Sequence, residues 1–311
     1  MYNYNHLYYF YTTVKSGGVT SAAKHLLISQ PSLSGQLKVL EDFLQIKLFK
    51  KVGRKNKLTP EGALVFGFCR QMFELAEEMH ESITERMPYA SRRIYIGVSN
   101  EVANSFVVEI VSNFLQKYSS KIRPKVFMVS DKHERLSEQL RFRELDLLIT
   151  STGMTHPDLE NLIKVEVPVN LICPHNKSYP LKSKFSKIDT VLKVLDKNLI
   201  DQWVMPTQGS ILRSETNNFL DLNSIKGRIV FESDVMETLT RSVVGKTGIA
   251  FMPSIFALKE IENNSLYSFG PKKGYWKYHL SLASHTKHKD DQLIKSLADS
   301  FNEVCESVNK L

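Results

Sequence analysis

Nine lysine and arginine side chains fall within the first sixty residues: Lys15, Lys24, Lys38, Lys47, Lys50, Lys51, Arg54, Lys55 and Lys57. Only Glu41 and Asp42 oppose them. Cations at that density form an electrostatic footprint for phosphates. Among them lie Gln30, Pro31, Ser32, Ser34, Gly35 and Gln36, a small, polar surface suited to base edges in a major groove. Further along, short apolar runs end in Ser99-Asn100, Ser130 and Thr150-Ser151, groups able to hold a small polar or anionic ligand. His285 and His288 have a spacing that can bind metal, but Lys287 and Lys289 oppose a cation, so no metal site is expected. Cys69, Cys173 and Cys305 lie far apart without metal-ligand spacing and read as packing residues of a reducing cytoplasm. No phosphate loop, nucleophile elbow or paired-carboxylate motif appears, so neither an enzyme nor a cofactor is expected.

These residues need elements to position them. Leu7, Phe10, Tyr11 and Val14 recur at helical spacing before Gly17-Gly18, predicting a helix over residues 4–15. Thr20 is the expected cap of a short second helix containing Ala22-Ala23, and Ser29 that of a third. In the third, Pro31 suits the first turn and Leu33, Leu37, Leu40 and Leu44 form the docking stripe, leaving Pro31, Ser32, Ser34, Gly35 and Lys38 toward solvent. Residues 47–59 read as two extended pieces around a basic turn, a wing whose Lys50, Arg54 and Lys55 track phosphates, with Arg54 able to enter a minor groove.

Beyond residue 60 the charge reverses: between residues 61 and 90 two arginines face six glutamates. Pro60 to about Met87 reads as one long helix with Val65, Phe68, Met72, Leu75, Met79 and Ile83 on a single seam and its glutamates outward. A one-sided apolar seam of that length requires a partner helix, so it is the expected dimerisation element; the alternative is a core helix of the next domain. From Ile94 onward, strands near 94–98, 126–129 and 145–149 alternate with amphipathic helices, predicting parallel strand-helix-strand units. Ser99 and Asn100 are placed at a helix N-terminus there. A second lobe starts near Val167, with Pro206-Thr207-Gln208-Gly209 and Phe251 as its cleft walls, and a helix from about Asp291 to Val308 returns to the first.

The ordered run from Ala22-Ala23 through Ser29-Gln30-Pro31-Ser32-Leu33-Ser34, Leu40-Glu41, Leu48-Phe49 and Leu58-Thr59 to Glu61-Gly62 resembles the reading domain of LysR-type transcriptional regulators. The resemblance implies base contacts from Gln30, Pro31 and Ser32 and phosphate contacts from Ser34 and Lys38. It departs at Gly18, where a serine is usual, and at Gly35, where an arginine is usual. Asn3 to Phe10, Gly35-Gln36, Lys47 to Lys50 and Met72-Phe73 are most similar to the sodium/proton antiporter regulators of that family, over about the first eighty residues.

What this implies is an α/β protein with an N-terminal all-α winged helix-turn-helix (1–59), a long linker helix (60–90) and a two-lobed, periplasmic-binding-protein-like effector domain (91–311). Lobe 1 would span about 91–166 and 268–311, lobe 2 about 167–267. Function would be sequence-specific binding of double-stranded DNA as a cytoplasmic activator, a homodimer or homotetramer that meets RNA polymerase and answers a small effector or ionic condition. No membrane is involved in this reading. The competing one is a nucleoid-type DNA binder whose rear half only oligomerises, for which strand-helix repetition in two lobes would be superfluous.

Overall fold

The computed structural model describes residues 2–52, 55–85, 92–118, 124–175, 188, 201–288 and 291–308. They fall into two compact units: Met1–Tyr95 with Tyr118–Phe127 and Ser137–Asp146, and Ile96–Lys117 with Met128–Leu136 and Leu147–Leu311. The first unit keeps the long helix with the reader.

In the first unit, α1 (Tyr4–Lys15), α2 (Val19–His25) and α3 (Gln30–Leu44) precede a hairpin of β1 (Phe49–Val52) and β2 (Lys55–Leu58), which pair antiparallel with Phe49 opposite Leu58. Leu7, Phe10, Ala22, Ala23, Leu33, Leu37, Leu40 and Leu48 form one buried cluster, with Leu44 packed at its edge. Each large member contributes on the order of 1.5–3 kcal/mol by leaving water. Ser29 caps α3 as predicted, accepting the Ser32 N–H at 3.2 Å. Thr20 does not cap α2: it lies inside the helix, whose N-cap is Gly18, at φ +148° and without a side-chain bond. A serine there would be strained in that conformation, which accounts for glycine at this position.

Helix α4 (Pro60–Glu85) follows; the predicted end at Met87 and Pro88 lies outside the described residues. Phe68, Met72, Leu75, Met79 and Ile83 are exposed along it, whereas Val65 packs against the reader core. Its glutamates do not all point outward. Glu74 accepts the Tyr95 hydroxyl at 2.6 Å and pairs with Arg70, itself buried and bonded to Asp146 at 3.0 Å and to the Arg143 carbonyl at 2.7 Å. Close approach makes this possible: a Cβ on Gly67 would lie 1.9 Å from the Phe142 carbonyl oxygen.

The chain then forms β3 (Arg93–Ser99), α5 (Asn104–Gln116), β4 (Lys125–Asp131), α6 (His133–Arg141) and β5 (Leu147–Thr150), with β3 and β5 parallel as predicted. The rest of this sheet departs from the parallel expectation. Long strands β6 (Leu159–Pro174) and β11 (Trp276–His285) run antiparallel, and β9 (Ala250–Pro253) and β10 (Leu266–Phe269) pair antiparallel with β6. The path is β10-β6-β11-β5-β3-β4. A smaller parallel sheet joins β7 (Gln202–Pro206) to β8 (Arg228–Ser233), accompanied by α7 (Ile211–Leu222) and α8 (Met236–Val244). After short α9 (Leu258–Glu262), the final α10 (Gln292–Val308) packs on α5. Among the described residues no helix is long and apolar enough to cross a membrane.

Candidate DNA interface and effector cavity

On α3, Gln30, Pro31, Ser32, Ser34, Gly35 and Lys38 are exposed and Gln36 is half-buried, so the polar face lies opposite the docked leucines. Nothing stands within 4 Å of where a Gly35 side chain would start. Lys50 is exposed on β1 and Lys55 lies on β2 opposite Val52, while Arg54 is outside the described residues. Glu41 ties reading helix to wing: it accepts the Leu48 N–H at 2.8 Å and the Lys47 ammonium at 2.7 Å. Burial opposes the Glu41 charge, but these bonds outweigh it and hold the carboxyl below its ordinary range. Thr59 extends the tie, accepting the Gly62 N–H at 2.9 Å in the first turn of α4. The anionic Glu41, an apparent blemish in a basic head, thus orients it.

The second unit holds a cavity of about 510 Å³. One wall is the end of β3 (Ser99, Asn100, Glu101), the turn into α6 (Lys132, His133, Glu134) and Tyr278; the other is the loop 206–210 with Ser233 and Asp234. The walls touch where the Met236 N–H donates to the Asn100 carbonyl at 2.8 Å and the Ser105 hydroxyl donates to Glu237 at 2.8 Å.

Of the residues expected there, Ser99, Asn100 and Thr207 line the cavity. Ser99 and Asn100 are not at a helix N-terminus, because α5 begins at Asn104 behind Ala103. Ser130 instead donates to Asn104 at 3.1 Å, and fully buried Thr150 stands one layer back, bonded to His133 Nδ1 at 2.9 Å. Phe251 is no cleft wall. It is buried in an aromatic cluster, stacked on Trp203 at 5.6 Å and edge-on to Phe219 and Tyr275, because strand β9 runs through the core. Sequence reasoning missed Glu101, Lys132, His133, Glu134 and Asp234. The run Lys132-His133-Glu134 directly after a strand was the available signal. Burial holds the His133 imidazole below its ordinary pKa against the pull of Glu134 and Glu101.

Residues 4–63 match the bacterial regulatory helix-turn-helix model of the lysR family, and residues 89–306 match the LysR substrate binding domain. This chain belongs to the LysR family. The transcriptional activator protein NhaR of Escherichia coli is 32% identical over 184 residues, a stretch spanning 57% of this chain and 60% of that protein. A probable RuBisCO transcriptional regulator of Emiliania huxleyi is 27% identical over 265 residues, 82% of this chain and 80% of that one. Two solved structures share the fold of this LysR-family chain. Full-length OxyR from Pseudomonas aeruginosa has a TM-score of 0.65 at 18% identity, covering 98% of this chain and 97% of that one. CbnR, a LysR family regulator solved with its target DNA, has a TM-score of 0.57 at 16% identity, covering 99% and 100%.

Proposed function

We propose that this LysR-family protein is a cytoplasmic, sequence-specific transcriptional activator that reads duplex DNA with α3 and its wing and is switched by a small effector in the 206–210 cavity. The observation that carries this reading is the exposed polar and basic face of α3, held against the wing by Glu41. Base readout falls to Gln30, Pro31 and Ser32, with Ser34, Gln36, Lys38, Lys50, Arg54 and Lys55 supporting it or gripping phosphates. The division into reader (1–59), linker (60–90) and effector domain (91–311) is part of the proposal, as are pairing through α4 and contact with RNA polymerase. Likeness of the first eighty residues to sodium/proton antiporter regulators, with the identity to NhaR, supports genes of ion homeostasis as targets.

The test is fluorescence anisotropy on operator DNA across a salt series. Affinity should fall steeply with salt, and Lys50→Ala or Arg54→Ala should each flatten the logarithmic slope by about one. A salt-independent affinity would refute the electrostatic grip, and unaltered DNA bending under every inducing condition would favour the nucleoid-type alternative.

A further inference from the structure

The lining of the cavity says what chemistry it accepts. Three carboxylates face it, Glu101, Glu134 and Asp234, against one ammonium, Lys132. Neither Lys132, Glu134 nor Asp234 makes an ion pair or hydrogen bond through its side chain among the described residues, the bond of Lys132 to Asp131 being through its backbone N–H. Glu101 is partly engaged, with one oxygen accepting the Ser151 hydroxyl. Lys132, Glu134 and Asp234 are exposed, so charges of both signs stand open to a ligand around a space in the ordinary range of small-molecule sites, roughly 300–1,000 Å³.

A second anion-seeking feature lies across from Lys132. Helix α7, twelve residues long, starts at the cavity. Its cap, Ser210, uses its side chain on the Arg213 N–H at 3.1 Å, which leaves the N–H groups of Ile211 and Leu212 without a helical acceptor. The Thr207 N–H is committed to the Ser233 carbonyl. Unclaimed N–H groups at a helix start and a free ammonium suit a carboxylate. The surplus of carboxylates then favours a cationic nitrogen on the same molecule, because a ligand that displaces solvent from these exposed side chains would otherwise leave their charge unpaired.

We propose that the cavity takes a small zwitterion of the amino-acid class, its carboxylate held by Lys132 and the start of α7 and its cationic nitrogen by Asp234 and Glu134. The proposal rests on reading this cavity as the effector site. A dicarboxylate would add negative charge where carboxylates already prevail, and an apolar ligand would strand the polar lining. A bare metal ion fits poorly: among the described residues no three His, Cys, Asp or Glu side chains gather to hold one.

The experiment is thermal-shift screening and calorimetry on the purified full-length protein with the proteinogenic amino acids at millimolar concentration. Each hit is compared with its decarboxylated amine and its deaminated acid, and with dicarboxylates, neutral sugars and sodium chloride at matched ionic strength. At least one amino acid should bind, with both truncated analogues weaker by about tenfold or more. Lys132→Met should weaken the zwitterion about tenfold while barely affecting the amine, Lys132→Arg should restore most binding, and Asp234→Asn should spare the deaminated acid. Binding confined to dicarboxylates, sugars or sodium, or silence across the amino acids, overturns the proposal. Operator binding measured in parallel separates the two readings. A zwitterion that binds without changing the DNA complex refutes the switch but not the site chemistry, whereas a DNA response evoked only by another ligand class does the reverse.

Discussion

Single residues in this protein take their roles from what stands behind them. Thr150, at a strand end, reads in sequence as a ligand contact, yet it is fully buried and holds the His133 ring that does reach the cavity. Gly35 leaves the middle of the exposed face of α3 bare; on the proposed reading of DNA by this face, the backbone of α3 could sit closer to a groove than a long side chain would allow. His133 gives a testable pH dependence. Burial lowers its pKa below the reference of 6.5, so the folded state prefers neutral imidazole and that preference is lost as pH falls from above 6.5 through the lowered value. Stability should therefore decline on acidification through this range, and His133→Gln should flatten the decline by on the order of one or two degrees in Tm. Calorimetry at several pH values decides it; identical slopes would show that the ring is not held neutral.

At the scale of elements, two ties do the positioning. Glu41 accepts the Leu48 and Phe49 N–H groups and so ties the start of the wing to α3. Arg70 performs the corresponding task for α4. Burial works against its charge, but Asp146 and Glu74 outweigh that and raise its pKa, and Asp146 in turn accepts the Tyr95 N–H at 2.8 Å. Burial also lifts the Glu74 carboxyl despite its partners, so the Asp146 pair is the firmer of the two. Removing one member of a buried pair leaves the other uncompensated: Arg70→Met should cost about 3 kcal/mol in urea unfolding. The double variant Arg70→Met with Asp146→Leu should recover much of that loss. If the single variant is neutral, the network does not anchor α4.

For the whole molecule, the exposed seam of α4 is the dominant fact. Leu75 is 65% and Met79 60% exposed, with Phe68, Met72 and Ile83 on the same stripe. Phe127, Met128 and Val129 on edge strand β4 are each also partly exposed. Soluble monomers rarely leave such stripes open. Light scattering at low micromolar concentration should therefore find a dimer or larger species, and Leu75→Asp with Met79→Asp should shift it toward the 35.6 kDa monomer. A monomer in the unmodified protein would refute pairing through α4.

Sequence alone determined whatever depends on local periodicity and end chemistry. The three reader helices, the Ser29 cap, the wing, the start of α4 at Pro60 and the alternation from β3 to β5 follow from apolar spacing, capping residues and turn glycines, which act within a few residues of themselves. Tertiary structure decided whatever depends on which distant groups meet. The antiparallel pairing of β6 with β11 joins segments about a hundred residues apart, for which no local pattern sets direction. The same holds for Phe251 in the aromatic core and Glu74 in a buried network. It holds also for the charges around the cavity, since Lys132 and Asp234 are unremarkable exposed types in sequence until the fold sets both at the rim of one space.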